Sequence, residues 1–174
     1  MEFMHEISPL YWASLILISA TGFTILWLFD ALTHKELVEV DITDKELQTH
    51  RNILVVSVLM ELSLVGMYWW NLEMLPLFLT FFIVRTVHEF IDELHFHTDR
   101  CSVNESRLHL GMWVFVIGKT IAMFMWGFFT QYQGIESLPL IYYIWGALIL
   151  MTMSVVSMAE WQRGLDMKWV KLNI

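Results

Sequence analysis

Residues 85–100 read RTVHEFIDELHFHTDR, which places three histidines and four carboxylates at the end of an apolar run. Imidazole nitrogen and carboxylate oxygen are donors for first-row transition metals, imidazole favouring iron, copper or zinc and carboxylate tolerating iron and manganese. At about 100° per residue, Arg85, His88, Asp92 and His95 form one stripe of a helix, and Glu89, Glu93 and His97 form a second stripe beside it. An ionised side chain near the centre of a bilayer costs about 3 kcal/mol even on the lenient insertion scale, so such groups turn inward and pair with one another or with a bound ion.

The same chemistry recurs along the chain. Asp30 and His34 are four residues apart, as are Glu93 and His97. The stretches TDKELQTH (43–50) and SVNESRLH (102–109) each begin with Thr or Ser, carry Glu three residues later and His four after that. Thr43 with Glu46, and Ser102 with Glu105, match the capping box that satisfies orphan amides at a helix start, so both glutamates are assigned to caps. His50 and His109 then lie one turn further inward. All the histidines but His5 collect toward one end of the spans.

The elements that must position these groups follow from composition. Of 174 residues 57% are hydrophobic and 16% charged, beyond what a soluble domain needs. Apolar runs close to the roughly 20 residues that span a bilayer occur at about 9–33, 53–70, 76–97, 108–130 and 138–159. The expectation is an all-α, multi-pass integral membrane protein, one transmembrane domain of five helices over 1–174. The first run is too long and lacks the basic start of a cleavable leader. Lys35, Lys45, Arg51, Arg100, Arg107, Arg163, Lys168 and Lys171 fall on one side by helix connectivity, which makes that side cytoplasmic, with the N-terminus outside and the C-terminus cytoplasmic. Residues 160–174, with Trp161, Leu165, Trp169 and Leu172 at helical spacing, fit an interfacial tail. The matched acid-x-x-x-His pairs suggest that helices 1–2 and 3–4 are duplicated hairpins of one bundle.

A net charge of −8 without basic runs argues against nucleic acid. A single cysteine, Cys101, excludes an intrachain disulfide and a cysteine-cluster metal site. The methionines read as flexible packing and the tryptophans as interfacial belt residues. Glu61, Arg85 and Lys119 come out at one depth, mid-bilayer, and suggest an intramembrane charge network that holds helices together or relays protons.

Carboxylate and His from facing helices are how dinuclear iron sites are built in four-helix bundles, and Asp92-x-x-His95 has the spacing used there. The expected metal ligands are Glu89, Asp92, Glu93, His95, His97 and His109, with His88, Asp30, His34 and His50 close by. The alternative to a metal is a hydrated rim of acids and histidines. Glu93, His97 and His109 also resemble the Asp-x-x-x-His and later His of the copper-binding membrane subunit of particulate methane and ammonia monooxygenases. The resemblance covers these three residues, with Glu in place of Asp and a following gap that differs by one, and it implies copper there. The function expected from the sequence is oxidoreduction of a lipophilic substrate or quinone at an iron centre. The rival readings are a haem b electron-transfer subunit, with His50 and His109 as axial pair, and a non-catalytic structural or accessory subunit. Expected partners are the lipid bilayer, a lipophilic small molecule, and other membrane subunits or a homo-oligomer.

Overall fold

The computed structural model describes residues 2–33, 43–97 and 103–172. Among these every regular element is a helix: α1 (Glu2–Glu6), α2 (Pro9–Thr33), α3 (Asp44–Gly66), α4 (Asn71–Ile91) running on into a π-helical stretch (Asp92–His97), α5 (Val103–Thr130), a 3-10 turn (Ile135–Ser137) and α6 (Leu140–Leu172). Four segments are long and apolar enough to cross a membrane: Pro9–Leu32, Asn71–His97, Ser106–Thr130 and Leu140–Ala159. The helix containing the remaining expected span, α3, begins with the charged DKELQTHRN, carries Glu61 and stops at Gly66. Its apolar part is correspondingly short. The expected tail does not begin a new element, since α6 continues to Leu172.

Helix boundaries follow local chemistry. Ser8 Oγ accepts from the Leu10 N–H at 3.3 Å, and Pro9 fills the first position of α2, where a missing N–H costs nothing. Thr43 and Glu46 form the anticipated capping box. Between α5 and α6 the backbone turns through left-handed residues Gln131, Tyr132 and Gly134, and a Cβ on Gly134 would meet Pro9 Cγ at 2.5 Å.

The most extensive helix contacts are α2 with α5 and α3 with α4, while α6 lies mainly on α2. The hairpins read from the sequence would have paired α2 with α3 and α4 with α5. Close approach explains the pairing across the chain: a Cβ on Gly22 would lie 2.6 Å from the Phe115 ring, and one on Gly111 would lie 2.7 Å from Leu26. Small residues of this kind let membrane helices meet closely. At the turn end, Trp12, Met60, Leu64, Met67, Phe78, Ala122, Trp126 and Tyr132 form the apolar core. There Tyr132 Oη donates to the Leu64 carbonyl at 3.0 Å, and burial pushes its phenol pKa up.

Candidate metal centre

At the opposite end of the bundle, polar residues fill the junction between the two helix pairs. Asp30 comes from α2, Glu46 and His50 from α3, Asp92, Glu93 and His97 from the π-helical stretch, and His109 from α5. His50 Nε2 is 2.9 Å from Asp92 Oδ1. His109 Nδ1 is 2.5 Å from Glu93 Oε1 and its Nε2 is 3.3 Å from Asp30 Oδ1. His97 lies between these pairs. Its Nε2 is 3.7 Å from Glu46 Oε1, and its Nδ1 is 3.9 Å from Asp92 Oδ2 and 3.8 Å from Glu93 Oε1. Ring centroids place His97 6.1 Å from His50 and 5.0 Å from His109. Glu46 is 2% exposed and His97 4%.

The π turn sets which side chains gather. In a straight α-helix Asp92 and His97, five apart, would point about 140° away from each other. A turn closed by i→i+5 bonds brings residues five apart onto one face. Asp92 and Glu93 therefore flank His97 together, and His95 falls outside the cluster, exposed and edge-on against the Phe96 ring at 4.9 Å.

Two triads have donor atoms that lie within 4.8 Å of one another: Glu46, His50 and His97, and Glu93, His97 and His109. Two ligands on one tetrahedral metal with bonds of 2.0–2.1 Å stand about 3.4 Å apart. The 3.7–3.9 Å separations around His97 thus need only slight contraction around a cation, whereas the 2.5 Å contact between Glu93 and His109 has to open for both to ligate one ion. A set of imidazoles and carboxylates without thiolate suits iron, copper, zinc or manganese. Both groupings can bind metal.

The other expected ligands are differently engaged. Glu89 is clamped by Arg85, with Arg85 Nη1 donating at 3.0 Å and Nη2 donating to its second oxygen. His88 Nδ1 is 2.8 Å from the Val84 carbonyl, and its Nε2 is 3.1 Å from the Asn52 amide. His34, Arg100, Cys101 and Ser102 lie outside the described residues, and so does the side chain of Glu105. Of the mid-span charges, Lys119 Nζ meets Glu61 Oε1 at 2.6 Å, whereas Arg85 takes Glu89 and, through Nε, Ser57 Oγ at 2.9 Å.

Glu46 is the residue that sequence reasoning left out of the site. It does form the cap, its Oε2 accepting from Thr43 N–H at 3.4 Å, while its Oε1 faces His97. The signal was its spacing of four from His50, the same as Glu93 to His97. Comparison of the chain with protein-family models, with curated proteins and with solved structures finds no match.

Proposed function

We propose that the chain is a multi-pass integral membrane metalloprotein with a dinuclear non-haem centre, iron foremost, that carries out oxidoreduction of a lipophilic substrate. One observation carries the reading: two ligand triads from different helices share a single buried histidine, His97, whose two ring nitrogens face opposite carboxylates. One imidazole between two triads suits a pair of ions. Glu46 and His50 would hold one of them, Glu93 and His109 the other. If His109 served as a ligand through Nδ1, its Nε2–H would donate to Asp30, a carboxylate–histidine arrangement that would fix the ring's tautomer and orientation. Asp92 holds His50 by a contact of the same kind at Nε2. The bound metal would supply redox equivalents or polarise a bound substrate.

Two features favour this over a haem subunit. His97 contacts both rings of the candidate axial pair, in the space a macrocycle would need beside them. The carboxylates at the junction, Asp30, Glu46, Asp92 and Glu93, also suit a bare cation better than haem propionates. The test is metal analysis with a visible spectrum of purified protein. Iron near two per chain without a Soret band supports the reading. A Soret band means haem, copper or zinc in that stoichiometry replaces iron, and no stoichiometric metal ends the proposal.

A further inference from the structure

Arg51, next to His50 on α3, carries a charge that nothing nearby balances. Its Nε and Nη2 are buried, and neither has a hydrogen-bond partner among the described residues. The buried cations Arg85 and Lys119 each meet a carboxylate, Glu89 and Glu61. At the end of the bundle where Arg51 lies, Asp30, Glu46, Asp92 and Glu93 are turned to histidines. A guanidinium cannot shed its proton, and a buried charge without a counter-charge is costly. Toward the bilayer centre the surroundings turn apolar, since Leu54, one turn along α3, packs against Trp27, Ala31 and Val156. The Trp161 ring of α6 lies against the guanidinium, its centre 5.2 Å from Arg51 Cζ, a cation–π contact. Trp161 stands two residues past the span Leu140–Ala159, which sets Arg51 at the level of lipid headgroups, on the side where the basic residues collect. Because α3 packs mainly on α4 and α6 mainly on α2, the seam between α3 and α6 that these two side chains close is thinly packed.

We propose that Arg51 holds the phosphate of an anionic phospholipid at the cytoplasmic end of this seam. A guanidinium pairs with phosphate through two parallel N–H bonds, and basic crevices between spans at the cytoplasmic face are where anionic headgroups settle. Nη1 is not enclosed as Nε and Nη2 are, so the phosphate meets it first and reaches Nη2 as the Trp161 ring, 41% exposed, shifts aside. The acyl chains continue the fit: Val55 and Val58, four and seven residues on, share the helix stripe of Arg51 and are exposed. Free phosphate has nothing to place there. A phosphatidylcholine headgroup brings its own cation, so a lipid of net negative charge is preferred. The site draws on the membrane reading and on no residue of the metal centre.

The test places the full-length protein in nanodiscs of phosphatidylcholine with graded phosphatidylglycerol and reads retained lipid by native mass spectrometry, beside the melting temperature in the same discs. Wild type is expected to retain phosphatidylglycerol saturably and to melt higher as its fraction rises. Arg51→Met weakens retention by about tenfold or more, the worth of a hydrogen bond to a charged group, and loses the melting shift. In phosphatidylcholine alone it melts no lower than wild type, because the unpaired buried charge is gone. Arg51→Lys, which keeps the charge without the fork, folds as wild type and retains the lipid less tightly. Equal retention in wild type and Arg51→Met, equal retention of phosphatidylcholine, or displacement of the lipid by inorganic phosphate overturns the proposal. So does a lower melting temperature of Arg51→Met in phosphatidylcholine alone, which would make Arg51 a packing contact of Trp161. Metal-free wild type that retains the lipid through Arg51 keeps this site and removes the metal centre; metal-loaded wild type without Arg51-dependent retention does the reverse.

Discussion

His97 Nε2 lies 3.7 Å from Glu46 Oε1, both side chains almost wholly buried. Glu46 reaches this position from the first turn of α3, with its other oxygen tied back to the Thr43 amide. The cap thus restrains the carboxylate that faces the histidine. Restraint of that kind is what a metal ligand needs, because a ligand already held in place loses little freedom on binding.

The cap role of Glu46 and its proposed ligand role separate by mutation. Thr43→Ala removes the cap oxygen and is expected to cost about 1 kcal/mol of stability with metal content unchanged. Glu46→Gln keeps a side chain able to accept from Thr43 but removes the charge facing His97. Metal affinity is expected to fall by about tenfold or more, with thermal stability of the metal-free protein little changed. Equal metal affinity in Glu46→Gln and wild type would assign Glu46 to the cap alone.

The shared histidine fixes an order among single substitutions. His97→Ala breaks both triads and is expected to remove essentially all bound metal. His50→Ala and His109→Ala each break one triad, so each should retain roughly half, given that affinity depends on the full ligand set. Metal per chain in folded, membrane-inserted protein is the measurement. Complete loss in all three would mean one ion spanning the junction.

The sequence carried much of this and missed specific parts. Helical character and the apolar runs were legible because hydropathy and period report directly on burial in helices. The gathering of Asp30, His50, Glu93, His97 and His109 at one end was legible from their positions at span ends. The pairing of α2 with α5 was not, since it depends on Gly22 and Gly111 admitting Phe115 and Leu26, a three-dimensional fit without linear signature. His95 and His97 could not be ranked either: the 100° rule assumes an unbroken α-helix, and the π turn changes the register over those very residues.

The mid-bundle pair gives a thermodynamic prediction. Lys119 Nζ and Glu61 Oε1 join α5 to α3, and the lysine is buried. Lys119→Met is expected to destabilise by about 3 kcal/mol by leaving Glu61 unpaired, and Glu61→Gln combined with it should recover part of that loss. Unfolding of the two singles and the double in one detergent gives the coupling energy. Strict additivity would show that the contact contributes nothing.

Topology tests whether α3 crosses a membrane along with the four segments long and apolar enough to do so. If all five cross, a tag before Met1 and a reporter after Ile174 lie on opposite sides, with the reporter cytoplasmic as the basic residues require. Both ends on one side would mean that α3 does not cross.

The π-helical register supplies the sharpest test of the site. An unbroken α-helix would put His95 on the stripe of Asp92 and turn His97 about 140° from Asp92; the π turn puts His97 between Asp92 and Glu93 and leaves His95 exposed. His95→Ala is therefore expected to keep wild-type metal content and stability, since the residue's ring contact is with its neighbour Phe96. Asp92→Asn removes the charge that steadies His50 and faces His97, and it should lower metal affinity by about 10–100-fold, the usual cost of losing a group that orients a ligand. His97→Ala should lose metal altogether. Metal content in the three variants, with helix content checked by circular dichroism, reads the register directly: loss in His95→Ala with retention in His97→Ala would mean that the segment binds metal as a regular α-helix.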